Sequence, residues 1–181
     1  MDTRQSIKKQ FMELYTKKDF ASISVKELSA SVPVARTTFY SYYRNTDEVR
    51  CEIEDILVDG LKEVSDRVSE GNLTNMDFTI FMDAIELYIR ANWQPIYAFL
   101  VNQPNARFIR KWKDAIKQNF SQRYPALTTV RNYDAVAEIL AATMLNAYTY
   151  WMEHADVCRI DDIKPLIKNT LDALVVNLNT L

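Results

Sequence analysis

Apolar residues recur every three or four positions along nearly the whole chain, the spacing that turns one face of an α-helix toward a core. Ile7, Phe11, Leu14 and Tyr15 mark a first helix over about residues 3–18, and Val25, Leu28 and Val32 mark a second of about two turns. Ser24 opens that second helix and Glu27 stands three residues on, a pairing that closes two orphan amides reciprocally. Pro33 cannot continue the helix and punctuates a turn. Beyond it Val34 and Phe39 face inward, while Arg36, Thr37, Thr38 and Ser41 point out. A fourth helix opens at Asn45, with Glu48 three residues later. Its stripe of Val49, Ile53, Ile56, Leu57, Leu61, Val64 and Val68 runs too long for a small head alone, and Gly71 and Asn72 can end it.

The pattern continues through residues 75–91 on Phe78, Phe81, Ile85, Tyr88 and Ile89. Trp93-Gln94-Pro95 then breaks it before a short helix to about Val101. Pro104 fits the first turn of the next helix, which carries Phe108, Trp112, Ile116 and Phe120 and closes at Tyr124-Pro125. Two more apolar helices follow, at about 132–154 and 162–179. With only 2 glycines and 5 prolines in 181 residues, there is little punctuation for a sheet of hairpins. The chain therefore reads as all-α: a three-helix head over residues 1–48 and a helical body over 49–181.

Composition narrows the function classes. No run of 18 or more uncharged apolar residues occurs, so no membrane span is expected. The N-terminus has no signal-peptide core, which makes the cytoplasm the expected compartment. Residues 1–50 carry 9 Lys and Arg against 6 Asp and Glu, a balance of +3; the remainder carries 13 against 18, or −5. A basic head on an acidic body suits a protein whose head alone meets phosphates. Cys51 and Cys158 have no metal-ligand spacing, and His154 is the single histidine. No nucleophile, base and orienter, no phosphate loop and no metal set can be assembled, so no catalytic residue, metal or cofactor is expected.

Two short helices around a tight turn, the second with a small polar and cationic outer face, form a helix-turn-helix suited to the major groove. The run from Thr38 to Val49, Thr-Phe-Tyr-Ser-Tyr-Tyr-Arg-Asn-Thr-Asp-Glu-Val, resembles the recognition-helix signature of the TetR (tetracycline-repressor-like) family of regulators. The preceding Lys17 to Val25 is similar to that family's link between its first two helices. The chain departs from the family pattern at Pro33, where a glycine is usual, at Ala35, where serine or threonine is common, and at Thr46, where lysine is common; Arg44 stands nearby. The resemblance implies a dimeric transcriptional regulator, most often a repressor, that a small ligand releases from a palindromic operator on double-stranded DNA. A regulator answering to a protein partner or to no ligand, and a helical binding protein that does not touch DNA, are the alternatives.

On this reading Arg36, Thr37, Thr38 and Ser41 face bases, Tyr40 and Tyr42 set phosphate register, and Ser24 and Thr46 contact phosphates at helix starts. Tyr40 and Tyr42 could instead pack the head, as Tyr43 should, four residues after Phe39. The resemblance also implies an effector cavity in the body, with Tyr88, Trp93, Tyr97, Phe108, Trp112, Met144, Tyr148 and Trp151 as candidate lining; the same aromatics could be plain core. Trp93, Tyr97 and Trp112 rank first because they flank a proline break. No charged group in this set marks an ionic ligand, so a mostly apolar or aromatic effector is expected. Ala135, Ala137, Ala141, Ala142 and Ala147 on one late helix, and Leu166, Ile167, Leu171, Leu174, Val175 and Leu178 on the other, suggest a homodimer through residues 132–179, packed as a four-helix bundle. The basic run Arg107, Arg110, Lys111, Lys113, Lys117 and Arg123 reads as a solvated face or, alternatively, a second nucleic-acid surface.

Overall fold

The computed structural model describes residues 2–32, 35–71 and 78–178. The expected roles of Pro33, Val34 and Asn72, the start of the 75–91 helix and the side chains of Phe78, Val175 and Leu178 lie outside the described residues. Among the described residues the chain is helical throughout, with no strand. It divides into two compact units, Met1–Leu57 and Val58–Leu181, so the division falls inside a helix.

In the first unit, α1 (Thr3–Tyr15), a 3₁₀ turn (Phe20–Ser22), α2 (Val25–Ser31) and α3 (Arg36–Tyr40) precede α4, which runs from Thr46 to Gly71. α1 stops three residues short of its expected end, because the Lys17 and Lys18 amides both turn back onto the Leu14 carbonyl. Asp2 accepts from the Arg4 amide, and Ser24 Oγ accepts from the Glu27 amide at 3.2 Å. Asn45 and Glu48 cap α4 reciprocally: Asn45 Oδ1 accepts from the Glu48 amide at 2.9 Å, and Glu48 Oε2 from the Arg44 amide at 2.7 Å. Ile7, Phe11, Tyr15, Ile23, Leu28, Val32, Phe39, Tyr43, Val49 and Ile53 are buried as the core of the unit. Arg50 closes its flank, with its guanidinium 3.6 Å from the centroid of Phe20 and ion pairs to Asp47 and the buried Glu54. Ile56, expected on the same stripe, is instead exposed: the buried run passes through Leu57 and Val58.

The second unit contains α5 (Phe78–Ala91), α6 (Trp93–Tyr97), a π-helical turn (Ala98–Asn102), α7 (Ala106–Arg123), a 3₁₀ turn (Pro125–Thr129), α8 (Tyr133–Glu153) and α9 (Ile160–Leu178). Pro104 lies outside α7, not in its first turn. Asn105 is the cap, its Oδ1 accepting from the amides of Arg107 at 3.0 Å and Phe108 at 3.3 Å. α7, α8 and α9 pack in succession. Lys113 and Lys117 of α7 both pair with Glu138 of α8, which engages two of the six residues of the expected basic face within the fold. Lys164 ties α9 to Asp83 and Glu86 of α5.

The late helices bury more of themselves within one chain than their spacing suggested. Ala137, Ala141, Ile167 and Leu171 belong to the chain's own core, with Leu171 wholly buried. The outward residues lie on another row: Ala135, Ile139, Asn146 and Tyr150 on α8, Leu166 and Ala173 on α9. Ile139, Tyr150 and Leu166 are 51%, 52% and 65% exposed, apolar surface that the chain itself does not cover.

Gly60 marks a close approach of α4 to Tyr88 of α5. A Cβ there would stand 2.6 Å from the Tyr88 hydroxyl and 2.9 Å from its ring. Mid-helix glycine costs about 0.5–1 kcal/mol relative to alanine, so the position trades helix propensity for the seat of Tyr88. Gly60→Ala should nonetheless destabilise the second unit by roughly 1–2 kcal/mol, since overpacking outweighs the propensity gain. Urea unfolding followed by helicity measures this; a variant more stable than wild type would contradict it.

Candidate functional site

α3 spans five residues, too few to persist alone, and is held from below. Phe39 is wholly buried and Tyr43 is 3% exposed, their rings 5.8 Å apart. Beneath them Arg4 Nε donates to the Tyr43 hydroxyl at 3.4 Å and to Glu52 at 2.9 Å, while Lys8 reaches the other Glu52 oxygen at 2.8 Å. Burial pushes the Tyr43 phenol up to about 12. Burial also works to raise the Glu52 carboxyl, but hydrogen bonds from Lys8, Tyr43 and Arg4 outweigh it and hold the group below its ordinary value.

That anchoring turns the opposite face outward. Arg36, Thr37, Tyr40, Ser41 and Tyr42 are exposed and Thr38 is half-buried. Tyr40 and Tyr42 are 57% and 43% exposed, although the Tyr40 ring meets Phe39 edge-on at 5.6 Å. Ser41 Oγ donates to the Thr38 carbonyl at 2.7 Å, closing the helix end. Ser24 is exposed but its oxygen already serves the α2 cap, and Thr46 Oγ1 donates to the Ile23 carbonyl at 3.5 Å. Those two hydroxyls hold helix starts in place. Arg44, 90% exposed, adds a cation beside Thr46.

The body aromatics separate into two groups. Phe108, Trp112, Met144 and Tyr148 are at most 2% exposed. Phe99, Phe108 and Trp112 form a chain of ring contacts at 5.1 and 5.4 Å, and the Tyr148 hydroxyl donates to the Met82 carbonyl at 3.1 Å. A gap beside Met144, between Phe81, Phe120 and Arg123, measures about 10 Å³, room for no more than a water. These four serve the core. Tyr88 is seated on Gly60, and burial pushes its phenol up to about 12. Trp93 stacks on Tyr97 at 6.1 Å and meets Trp151 edge-on at 5.2 Å.

Trp93 and Trp151 open onto a cleft of about 290 Å³ together with Arg90, Ala155, Cys158, Arg159, Ile160 and Asp161. It lies where the end of α5, α6, the end of α8 and the start of α9 converge. Sequence reading missed its two arginines, its aspartate and its thiol, which sit at helix ends and in the α8–α9 loop, where hydrophobic periodicity carries no signal. Among the described residues no helix is long and apolar enough to cross a membrane.

The class these units define is an all-helical protein with a helix-turn-helix head and a helical body. Its fold is that of TetR-family transcriptional regulators. A regulator assigned to that family from Syntrophomonas wolfei superposes with a TM-score of 0.68 at 16% identity, over 96% of this chain and 94% of its own. The TetR regulator of Streptococcus agalactiae gives 0.67 at 16% identity, over 93% of both chains. The dihydroxyacetone kinase operon activator DhaS gives 0.58 at 15% identity, over 99% of this chain and 97% of its own. No protein-family profile matches the sequence.

The Glu52 cluster gives the head a pH dependence of definite sign. A carboxyl whose folded value is depressed contributes stability that is present above its unfolded value, about 4.3, and is lost as pH falls through the lower folded value. Full-length Glu52→Gln should therefore lose head stability at neutral pH and show a flatter decline below pH 4.3. Hydrogen exchange of α1 and α3 amides at pH 7 and pH 4 reads this, and parallel wild-type and variant profiles would contradict it.

Proposed function

We propose that this chain is a DNA-binding transcriptional regulator that acts as a homodimer on a palindromic operator and leaves it when a small molecule binds the body. The observation that supports this best is the outward face of α3, with Arg36, Thr37, Tyr40, Ser41 and Tyr42 exposed above the buried pair Phe39 and Tyr43. Arg36 is the cation on that helix and can take a guanine edge through two hydrogen bonds. Thr37, Thr38 and Ser41 are small enough to follow bases, while Tyr40 and Tyr42 reach phosphates. An activating role is the second reading, favoured by a similarly folded protein named as an operon activator.

The homodimer reading rests on Ile139, Tyr150 and Leu166, the exposed apolar residues of α8 and α9. Two copies pairing these helices would form a four-helix bundle and space two recognition helices by about 34–36 Å, one turn of DNA. α4, unbroken from Thr46 to Gly71, is the element that a ligand in the body would move. A ligand that prefers the DNA-incompetent state about 100-fold, roughly 2.7 kcal/mol, would weaken operator affinity by the same factor. Operator DNA must then weaken ligand binding equally.

Selection on random duplexes should recover a palindrome whose binding weakens steeply with salt. Arg36→Ala should cost about 1–3 kcal/mol and relax the preference at one base pair per half-site. Weakening that is uniform across sequences would assign Arg36 to phosphate, and recovery of no palindrome would sink the operator reading.

Sedimentation at micromolar concentration should give a dimer for the wild type and folded monomers for the double variant Ile139→Glu, Leu166→Glu. Leu171→Glu should unfold the chain, because it places an unpaired charge in the core of the protomer. A wild-type monomer would end the dimer reading.

A further inference from the structure

The cleft at the ends of α5 and α8 is a sizeable opening beside candidate effector residues, and its walls carry chemistry that the buried aromatics lack. At about 290 Å³ it sits at the small end of the ~300–1,000 Å³ range of small-molecule sites, which suits a ligand of one or two rings. Trp93 meets Trp151 edge-on at 84°; Trp151 is only 2% exposed, so the aromatic surface of the cleft is mainly that of Trp93. Arg90 is already fixed: its guanidinium lies 4.9 Å from the Trp151 ring centroid, and Glu86 holds its Nε at 2.6 Å. Arg159 reaches Asp161 at 3.1 Å, but the two side chains are 79% and 60% exposed, so the pair is screened and readily exchanged. Two arginines face one aspartate in the lining, and Glu86 offsets Arg90 from just behind it, so the balance is neutral and what the cleft offers an anion is guanidinium hydrogen bonds.

These features decide the sign of the ligand. A cationic guest would seek the indole faces, yet Arg90 already occupies that of Trp151. A carboxylate would find one preorganised guanidinium and a second that can leave Asp161 for it, the geometry that favours two-point recognition. Its ring would rest against Trp93. We infer that this cleft is a binding site for a small planar aromatic carboxylate. The ring agrees with the mostly apolar or aromatic effector expected from the sequence; the carboxylate does not, because the arginines come from a helix end and a loop. That the site is also the effector site rests on the regulator reading above; the binding itself does not.

The test begins with the protein alone. Phenylacetate and indole-3-acetate are titrated by calorimetry, beside the corresponding neutral amides and benzylamine. Saturable binding of at least one carboxylate, tenfold or more tighter than its amide and with no binding of benzylamine, is expected. Arg159→Gln and Trp93→Leu should each weaken it at least tenfold, whereas Trp112→Phe, in the closed core, should not. In a Cys51→Ser background the bound carboxylate should also slow alkylation of Cys158, which lines the cleft. No saturable binding, an amide or amine that binds as well, or unchanged affinity in Arg159→Gln and Trp93→Leu would overturn the site. Operator affinity is measured separately with and without the bound carboxylate. An unchanged value would overturn the effector assignment while leaving the site, and a chain that binds no operator at all would fail the regulator reading instead.

Discussion

Presentation of the outer face of α3 depends on burying Phe39 and Tyr43. A helix of five residues has almost no intrinsic stability, so its position is set by what it can push into the head. Phe39 supplies apolar area. Tyr43 supplies area and a hydroxyl that must be satisfied, and Arg4 and Glu52 satisfy it from α1 and α4. Three helices thereby agree on one position for α3. The exposed residues owe their common direction to this buried pair.

The body follows a different logic. Its largest side chains fill the interior, and the Tyr148 hydroxyl is spent on a backbone carbonyl of α5. Where the helices end, such filling stops. Chain ends and loops bring polar groups that cannot be buried unpaired, and around Trp93 and Trp151 these are mostly charged. The result is a core that admits nothing beside a rim that can discriminate ligands by charge, two environments built from one set of aromatics.

Much of this was legible before any coordinates. Helix periodicity found the elements, and the caps at Ser24 and Asn45 lie where serine and asparagine precede an apolar stripe. The outward face of the recognition helix could be read because four-residue spacing separates Phe39 and Tyr43 from Arg36 and Tyr40. Where spacing misled, the reason is local. Pro104 drew attention from Asn105, the better cap because its side chain can accept two amides. Leu171 and Leu166 both look like interface leucines in a one-dimensional stripe, and only packing against α8 decides which row turns inward. The cleft was illegible because Arg90 and Trp93 come from one stretch and Trp151 to Asp161 from another far along the chain, both at helix ends, so no periodic signal links Arg90 to Trp151 or Arg159.

Gly60 carries a consequence for how such a chain can diverge. The missing Cβ and the Tyr88 ring occupy one volume, so neither position can drift independently. Descendants that acquire a side chain at the first must shrink or move the second: changing Gly60 first passes through an overpacked intermediate, changing Tyr88 first through one with a gap. The two positions should therefore exchange size across a lineage, and their covariation would map the packing of α4 on α5 in relatives that have no structure at all.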